Sequence, residues 1–432
     1  MNMNKNKKVC MYVWNHFTND ARVLRECTAL SANGYEVDLI CIHDPKDKDM
    51  PYVEKRNENF QVLRVKRYPF ILTFLQKAYK AIMANKALAA LAGLLWLAFA
   101  FMLPAVILPL TLIAALLLKT KCKTVFIRLC IIARMIRMGY KKDYDMYHSN
   151  DLNTLPQGYI CSKWRICKKT LIYDSHEVQT SRTGYDSGFY GMMEKFLIKR
   201  IDAMIVENHT RAQYNEDLYG FYPNVVHNYP FKQADKKVEK IDLHSMLGLP
   251  ANEKILLYQG GIQTGRGLDK LIQAAPFFKE GTVVLIGDGR IKPQLEKMVD
   301  EASLHEKVKF LPKVPLQDLP KYTANAYLGF QILNNVCFNH YSASSNKLFE
   351  YMMAGVPVVA CEFPEIKRVV QGEQTGICID SHLPEEIAKA VNLLLEKQDL
   401  RDELSQNSKQ ASGKYNWDLE QENLLSVYRG IA

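Results

Sequence analysis

Between Asn59 and Lys142 this chain has no aspartate or glutamate, and from Ala87 to Leu118 it has no charged side chain over 32 residues. A solvated helix pair is excluded there, because such helices carry a polar face. The ten cysteines form no CxxC pair and several sit in apolar, strand-like runs. Zinc-ligand and disulfide frameworks are therefore disfavoured, and buried reduced thiols facing a reducing cytosol fit better. Internal repeats and low-complexity tracts are missing as well. With 432 residues and 48% hydrophobic content, the chain has room for two ordinary cores and does not read as disordered. The start is basic from Met1 to Lys8, but the apolar run after it, Val9–Trp14, is too short for a secretory leader and reads as a first buried strand.

What the stretch after Asn59 does contain is positive charge. Fourteen lysines and arginines lie between Arg64 and Lys142, so the formal net charge of +10 comes from this region, while the rest of the chain is net negative. Positive charge that flanks one apolar run suits an anionic membrane surface better than nucleic acid, at about 1 kcal/mol per basic residue near the leaflet. As helix, Ala87–Leu118 would extend roughly 48 Å, against about 30 Å for a hydrocarbon core. Strand-like runs on both sides (Val9–Trp14, Glu36–Ile42 and Phe60–Val65 before; Met146–His148, Thr170–Tyr173 and Ala203–Glu207 after) point to one sheet on one side of a bilayer. Basic flanks agree, since they keep both ends cytoplasmic. Pro104 and Pro109 offer a place to turn back. The expectation is a re-entrant or shallow helical hairpin within a membrane-associated insert at 70–142, followed by an interfacial helix near Val125–Met138 that carries Arg128, Arg134 and Arg137. A buried core helix pair is the alternative.

Elsewhere, short apolar runs alternate with helix-like segments, the mark of an α/β architecture with parallel sheets. The run Ser342–Pro357, SASSNKLFEYMMAGVP, places Lys347 and Glu350 on one helical face. Ser and Asn before it supply cap candidates at a positive helix end, and Gly355-Val356-Pro357 stops the helix ahead of an apolar strand. Lys347 beside a phosphate and Glu350 beside ribose hydroxyls is one reading. A surface ion pair on an ordinary helix is the other.

The run N-K-L-F-E-Y-M-x-A-G-x-P resembles the donor-binding signature of retaining GT-B glycosyltransferases of the family 4 type. Leu256–Gly261 with Arg266-Gly267-Leu268, and Val283–Gly289 ending in G-D-G, resemble further parts of that pattern in the same order. Asp20-Ala21-Arg22, Gly34–Val37 and Tyr173–Glu177 resemble it more loosely. Two Rossmann-like domains with parallel sheets facing a cleft are implied: an acceptor-side domain at 1–228, a nucleotide-sugar domain at 229–411 after the Lys232–Lys240 linker, and a helix at 412–432 returning to the first. Gly260, Gly261, Arg266, Gly287, Asn346, Lys347, Leu348 and Glu350 are the implied donor-binding set, and Asn15 and Asp20 the acceptor-binding one. His176, Glu177, Asn150 and Asp151 are the implied catalytic candidates.

Two positions depart from the pattern. Ser342 stands where many members have the first of two glutamates, which contacts the transferred sugar, and Asn150 stands where members often have histidine. Gly260–Gly261 can equally serve turn geometry, a structural turn suits Gly287 and Gly289 better, and His176 can be a strand-end histidine held by local bonds. Asp143-Tyr144-Asp145 spells the D-x-D of metal-dependent enzymes, but it precedes its strand and neighbours Lys141 and Lys142, so a solvated charge cluster is the better reading. No metal and no cofactor is expected, because Lys347 and Arg266 can neutralise a leaving diphosphate. The expected activity is transfer of a sugar from a nucleoside diphosphate to a lipid-linked or other envelope saccharide at the cytoplasmic face of the membrane. A sugar-nucleotide epimerase and a catalytically silent membrane scaffold are the rivals.

Overall fold

The computed structural model describes residues 7–18, 20–179, 188–232 and 239–431. The basic lead Met1–Asn6, Asn19 and most of the Lys232–Lys240 linker fall outside them. The chain forms two compact units, Met1–Asp174 with Phe196–Ala203, and Ser175–Lys195 with Met204–Ala432.

In the first unit the strands are β1 (Lys8–Tyr12), β2 (Glu36–Ile42), β3 (Val53–Lys55), β4 (Phe60–Val65), β5 (Met146–Asn150) and β6 (Thr170–Ser175), in the spatial order β3-β4-β2-β1-β5-β6. Strand β2 is buried at six of its seven residues, as a strand covered on both faces must be. All pairings are parallel except β3 against β4, which is antiparallel. That edge strand departs from the all-parallel expectation: Val-Glu-Lys is short and charged, which suits an edge. Helix α1 (Ala21–Ala32) follows β1 and is capped by Asp20, whose carboxylate accepts from the Val23 amide.

Between β4 and β5 the chain forms α2 (Phe70–Ala84), α3 (Lys86–Met102), α4 (Pro104–Lys119) and α5 (Cys122–Gly139). The break falls at Leu103, with Pro104 in the first turn of α4, where a missing amide costs nothing. Pro109 stays inside α4. The Trp96 indole donates to Thr111 Oγ1 at 2.9 Å and ties α3 to α4 as a hairpin. Neither helix has a buried residue, and Phe101 at its tip is 90% exposed. No single helix among the described residues is long and apolar enough to cross a membrane. Two bent pairs reach that length and composition only together, α2 with α3 at 117° and α4 with α5 at 91°.

In the second unit β7 (Ala203–Val206) pairs parallel with β8 (Asn224–Val225). A separate sheet comprises β9 (Ile255–Gln259), β10 (Thr282–Ile286), β11 (Val308–Leu311), β12 (Leu328–Gln331), β13 (Val358–Cys361) and β14 (Gly376–Ile379), in the order β11-β10-β9-β12-β13-β14, all parallel. Alternate residues feed two cores on its opposite faces: Leu256, Tyr258, Val283, Leu285 and Phe330 on one, Ile255, Leu257, Val284, Ile286 and Val358 on the other. The terminal helix Trp417–Gly430 holds the chain near 230 through the Trp417 amide to Pro230 O and Glu420 to the His227 amide at 2.7 Å.

Candidate functional site

The carboxyl ends of β9 and β10 lie side by side. Gly260 N donates to Ile286 O, and Ile262 N to Asp288 O. At Gly287 a Cβ would lie 1.9 Å from the Gly260 carbonyl oxygen, and at Gly289 2.0 Å from that of Ile262. Both glycines are therefore required by loop packing. Gly260 is different: among the described residues only the Tyr258 hydroxyl, at 3.9 Å, comes near its missing Cβ. Among the described residues, the space beside the Gly260 backbone is open, and at Gly261 only the Gln263 side chain comes close, at 3.6 Å.

Helix Asn346–Ala354 brings its first turn to this place. It ends at Gly355, which adopts the left-handed conformation of a C-cap. Its N-cap Ser345 makes no side-chain cap hydrogen bond among the described residues, so the positive end of the helix is not closed by its own cap. Lys347 is 7% exposed, with its ammonium 4.1 Å from the Tyr258 ring centroid, a cation–π contact. Burial pushes the Lys347 pKa well below the usual lysine range, and the Arg266 guanidinium pushes it further the same way. Arg266 Nε is buried without a hydrogen-bond partner among the described residues, as is Asn346 Oδ1. Leu348 points into the core at 1% exposure, so only its backbone is available to a ligand.

Glu350, one turn on, accepts a 2.6 Å hydrogen bond from Gln259 Nε2. Gln259 is fully buried, and its carbonyl accepts from Thr323 Oγ1 at 2.7 Å. Its backbone amide donates to the Tyr351 hydroxyl, which in turn donates to Leu257 O. The carboxylate is thus aimed by a strand-end glutamine that is itself held by Thr323 and Tyr351. Gln259, Tyr258, Thr323 and Tyr351 were not legible as site residues. Gln259 and, through it, Thr323 reach Glu350, and Tyr258 reaches Lys347, only across long sequence separations, and no local spacing announces those contacts.

The departure at Ser342 has a clear structure. Ser342 is fully buried, donates to Phe338 O at 2.8 Å and accepts from Arg211 Nε at 3.1 Å. The same guanidinium bonds Glu207 at 2.5 Å and the backbone oxygen of His176. Asn339 clamps Val178 in both directions, at 2.8 and 3.0 Å. His176 and Glu177 therefore stand in a segment fastened to the 338–342 stretch. His340 lies beside Arg266, and burial, then Arg266, lowers its pKa.

In the first unit Asn150 is buried and donates to Tyr12 O at 2.8 Å, which commits its amide to holding β5 against β1. Asp151 has φ of 62° and its amide donates to Asp174 O. Asn15 and Asp20 bond each other at 2.7 Å and shape the loop after β1. Beneath them is a buried charged cluster: Arg22 pairs with Glu26 and with Asp174, both at 2.9 Å, and His148 Nε2 is 3.7 Å from Asp174. Of the D-x-D residues, Asp143 is exposed and paired with Lys169 at 2.9 Å, the Tyr144 hydroxyl donates to Asp38, and Asp145 accepts from the Lys8 amide.

Chemically, the second unit gathers two basic side chains, an open helix end and accessible glycine backbone, with an oriented carboxylate one turn away. Such a set can hold a diphosphate and accept hydrogen bonds from sugar hydroxyls.

Residues 239–411 match the family described as glycosyl transferases group 1. The chain is similar to a D-inositol 3-phosphate glycosyltransferase of Thermomonospora curvata, 28% identical over 197 residues, covering 43% of this chain and 44% of the relative. It is also similar to an alpha-D-kanosaminyltransferase of Streptomyces kanamyceticus, 26% identical, covering 46% and 52%. The chain spans about half the length of these curated relatives. Among solved structures, a sucrose-phosphate synthase from Thermosynechococcus elongatus superposes with a TM-score of 0.72 at 16% identity, over 99% of both chains. Anabaena HepE in complex with UDP-glucose gives 0.67 at 15% identity, over 98% and 99%. These likenesses establish an α/β, GT-B-like fold.

Proposed function

We propose, from the group 1 glycosyl transferase domain at residues 239–411, that this chain moves a sugar from a nucleoside diphosphate to an acceptor. The carrying observation is the pairing of a buried, cation-flanked Lys347 with a Glu350 carboxylate held by Gln259. As the bond to the sugar breaks, charge grows on the departing diphosphate. In this reading Lys347, Arg266 and the first-turn amides receive that charge, and the transition state gains from donors that need no reorganisation. In this reading Gly260 and Gly261 let the diphosphate approach the backbone, Asn346 and Leu348 offer main-chain donors, and Glu350 orients the ribose. His176 and Glu177 serve the acceptor hydroxyl, with Asn150, Asp151, Asn15 and Asp20 on the acceptor side. The proposal uses no metal, because the two cations supply the charge.

The transfer is proposed to retain anomeric configuration, on the strength of the N-K-L-F-E-Y-M signature. The exposed apolar hairpin α3–α4, with its basic flanks, supports seating on the cytoplasmic face of a membrane and hence a lipid-linked or other envelope saccharide as acceptor. The named curated relatives are transferases, which favours transfer over epimerisation or a silent scaffold. HepE was crystallised with UDP-glucose, so UDP-sugars are the first donors to test. The test is a panel of UDP- and GDP-sugars scored for nucleotide release with and without membrane extract, using wild type, Lys347→Ala and Glu350→Ala. Wild-type turnover in both variants would defeat the assignment.

A further inference from the structure

The first unit contains a cavity of about 450 Å³ at the root of the apolar hairpin. Its floor is the loop Trp14–His16 after β1, and its walls include Arg67, Gln76 of α2, and Lys123 and Arg128 of α5. Three lining residues are cations and none is acidic. Asp20, whose carboxylate is committed to Asn15 at 2.7 Å, and Asp44 both lie outside the lining. For Asp44 the neighbouring charge is visible in its titration. Its pKa is held below the usual range first by the Lys46 amide and also by His16 and Arg67.

Two features show that the cavity is continuous in structure with the hairpin. Helix α2 leads into α3 through Asn85, and α5 follows α4 after two residues, so both walls are the stems of the hairpin. Lys119, at the end of α4, donates to the Tyr79 hydroxyl at 2.8 Å. Tyr79 lies three residues beyond Gln76 and so on the same side of α2. The hairpin base is thereby pinned beside the cavity mouth. A concave, cationic, acid-free site of this volume suits a small polyanion. Free anions do not need an apolar surface alongside, and a neutral lipid does not need three cations.

We propose that this cavity seats the phosphate group of an amphiphilic glycosyl acceptor, with the apolar chain of that acceptor lying along α3–α4. The proposal rests on the transferase reading and gives it an acceptor class, a phosphate or diphosphate ester of a long apolar alcohol. The loop Trp14–His16, which includes the acceptor-side Asn15, then forms the floor of the acceptor site.

The test uses the full chain in detergent micelles and follows thermal unfolding with farnesyl phosphate, farnesol, inorganic phosphate or UDP. Farnesyl phosphate is expected to raise the midpoint, with farnesol and inorganic phosphate at the same concentration ineffective. In Arg67→Ala/Lys123→Ala the apparent affinity for farnesyl phosphate falls at least about tenfold, whereas Arg67→Lys/Lys123→Arg retains it. An equal shift from farnesol, an equal shift from inorganic phosphate, or unchanged affinity in the alanine variant overturns the proposal. If the alanine variant does not fold, the three wild-type arms still decide. UDP in the same samples separates the two readings: a farnesyl phosphate shift without a UDP shift counts against the donor site alone, and the converse counts against the phosphate seat alone.

Discussion

Gln259 donates a 2.6 Å hydrogen bond to Glu350 across 91 residues of sequence, while its carbonyl takes a hydrogen bond from Thr323. A carboxylate on a helix can swing through several rotamers. This one is directed by a buried side chain at the end of the central strand of its sheet. Gln259→Leu keeps the bulk and removes the donor, and Thr323 retains its other bond to Leu319 O. The variant is expected to fold and to bind UDP about tenfold more weakly, a loss of about 1.4 kcal/mol. Calorimetric titration checks this. Unchanged affinity would show that the orientation of Glu350 does not matter for the nucleotide.

Lys347 predicts a pH dependence with a definite sign. Its folded pKa lies well below the unfolded value because burial, and then Arg266, penalises the ammonium. Between those two values the unfolded state binds more protons, so the stability of the unliganded protein rises with pH across that interval. A bound diphosphate reverses the balance by favouring the charged form, and its binding takes up a proton. The UDP-induced rise in melting temperature is expected to be larger at pH 7 than at pH 9. In Lys347→Met the unliganded protein is expected to be at least as stable as wild type at neutral pH, with no UDP response. A UDP response that is flat from pH 7 to 9 rejects this account.

The sequence carried the sheets and the helical half of the site well, since both are written in local periodicity. Strands β2 and β4 have the bounds that apolar patterning indicated, and the i,i+3 placement of Lys347 and Glu350 survives because a helix preserves spacing. What stayed hidden is contact across large separations. Arg211 reaches Ser342 over 131 residues, and no pattern around either residue foretells it. Strand β3 was missed because Val-Glu-Lys shows no apolar alternation. Either proline could have broken the insert. The turn falls at Pro104 because that residue occupies the first position of α4, whereas Pro109 is carried within the helix.

The hairpin makes a prediction that is independent of the donor site. Since no residue of α3 or α4 is buried, removing Ala87–Leu118 takes nothing out of the core of the first unit. A Gly-Ser linker joining Lys86 to Lys119 is expected to leave UDP stabilisation intact. Membrane pellets of wild type are expected to keep the protein through a wash at about 1 M salt, where the Debye length is about 3 Å and basic flanks alone no longer hold. The deletion variant is expected in the supernatant. Release of the wild-type protein by salt would reduce its attachment to surface charge and remove the case for apolar insertion.

Ser342 is the last point at which this chain can be tested against the pattern it resembles. Restoring the glutamate is not expected to improve the enzyme. The serine is fully buried, its hydroxyl occupies Phe338 O and Arg211, and Asn208 donates to its backbone oxygen at 2.7 Å. A glutamate brings extra bulk into a closed space, at about 1–3 kcal/mol for overpacking. It also competes with Glu207 for Arg211, the guanidinium that anchors His176 through its backbone oxygen. Ser342→Glu is therefore expected to melt lower than wild type and to turn over donor more slowly, while Ser342→Ala, which spares the Arg211–Glu207 pair, loses about 1 kcal/mol. Denaturant unfolding alongside donor turnover distinguishes the two variants. Faster turnover in Ser342→Glu at unchanged stability would show that the site has room for the missing carboxylate and that the Arg211 network is not its replacement.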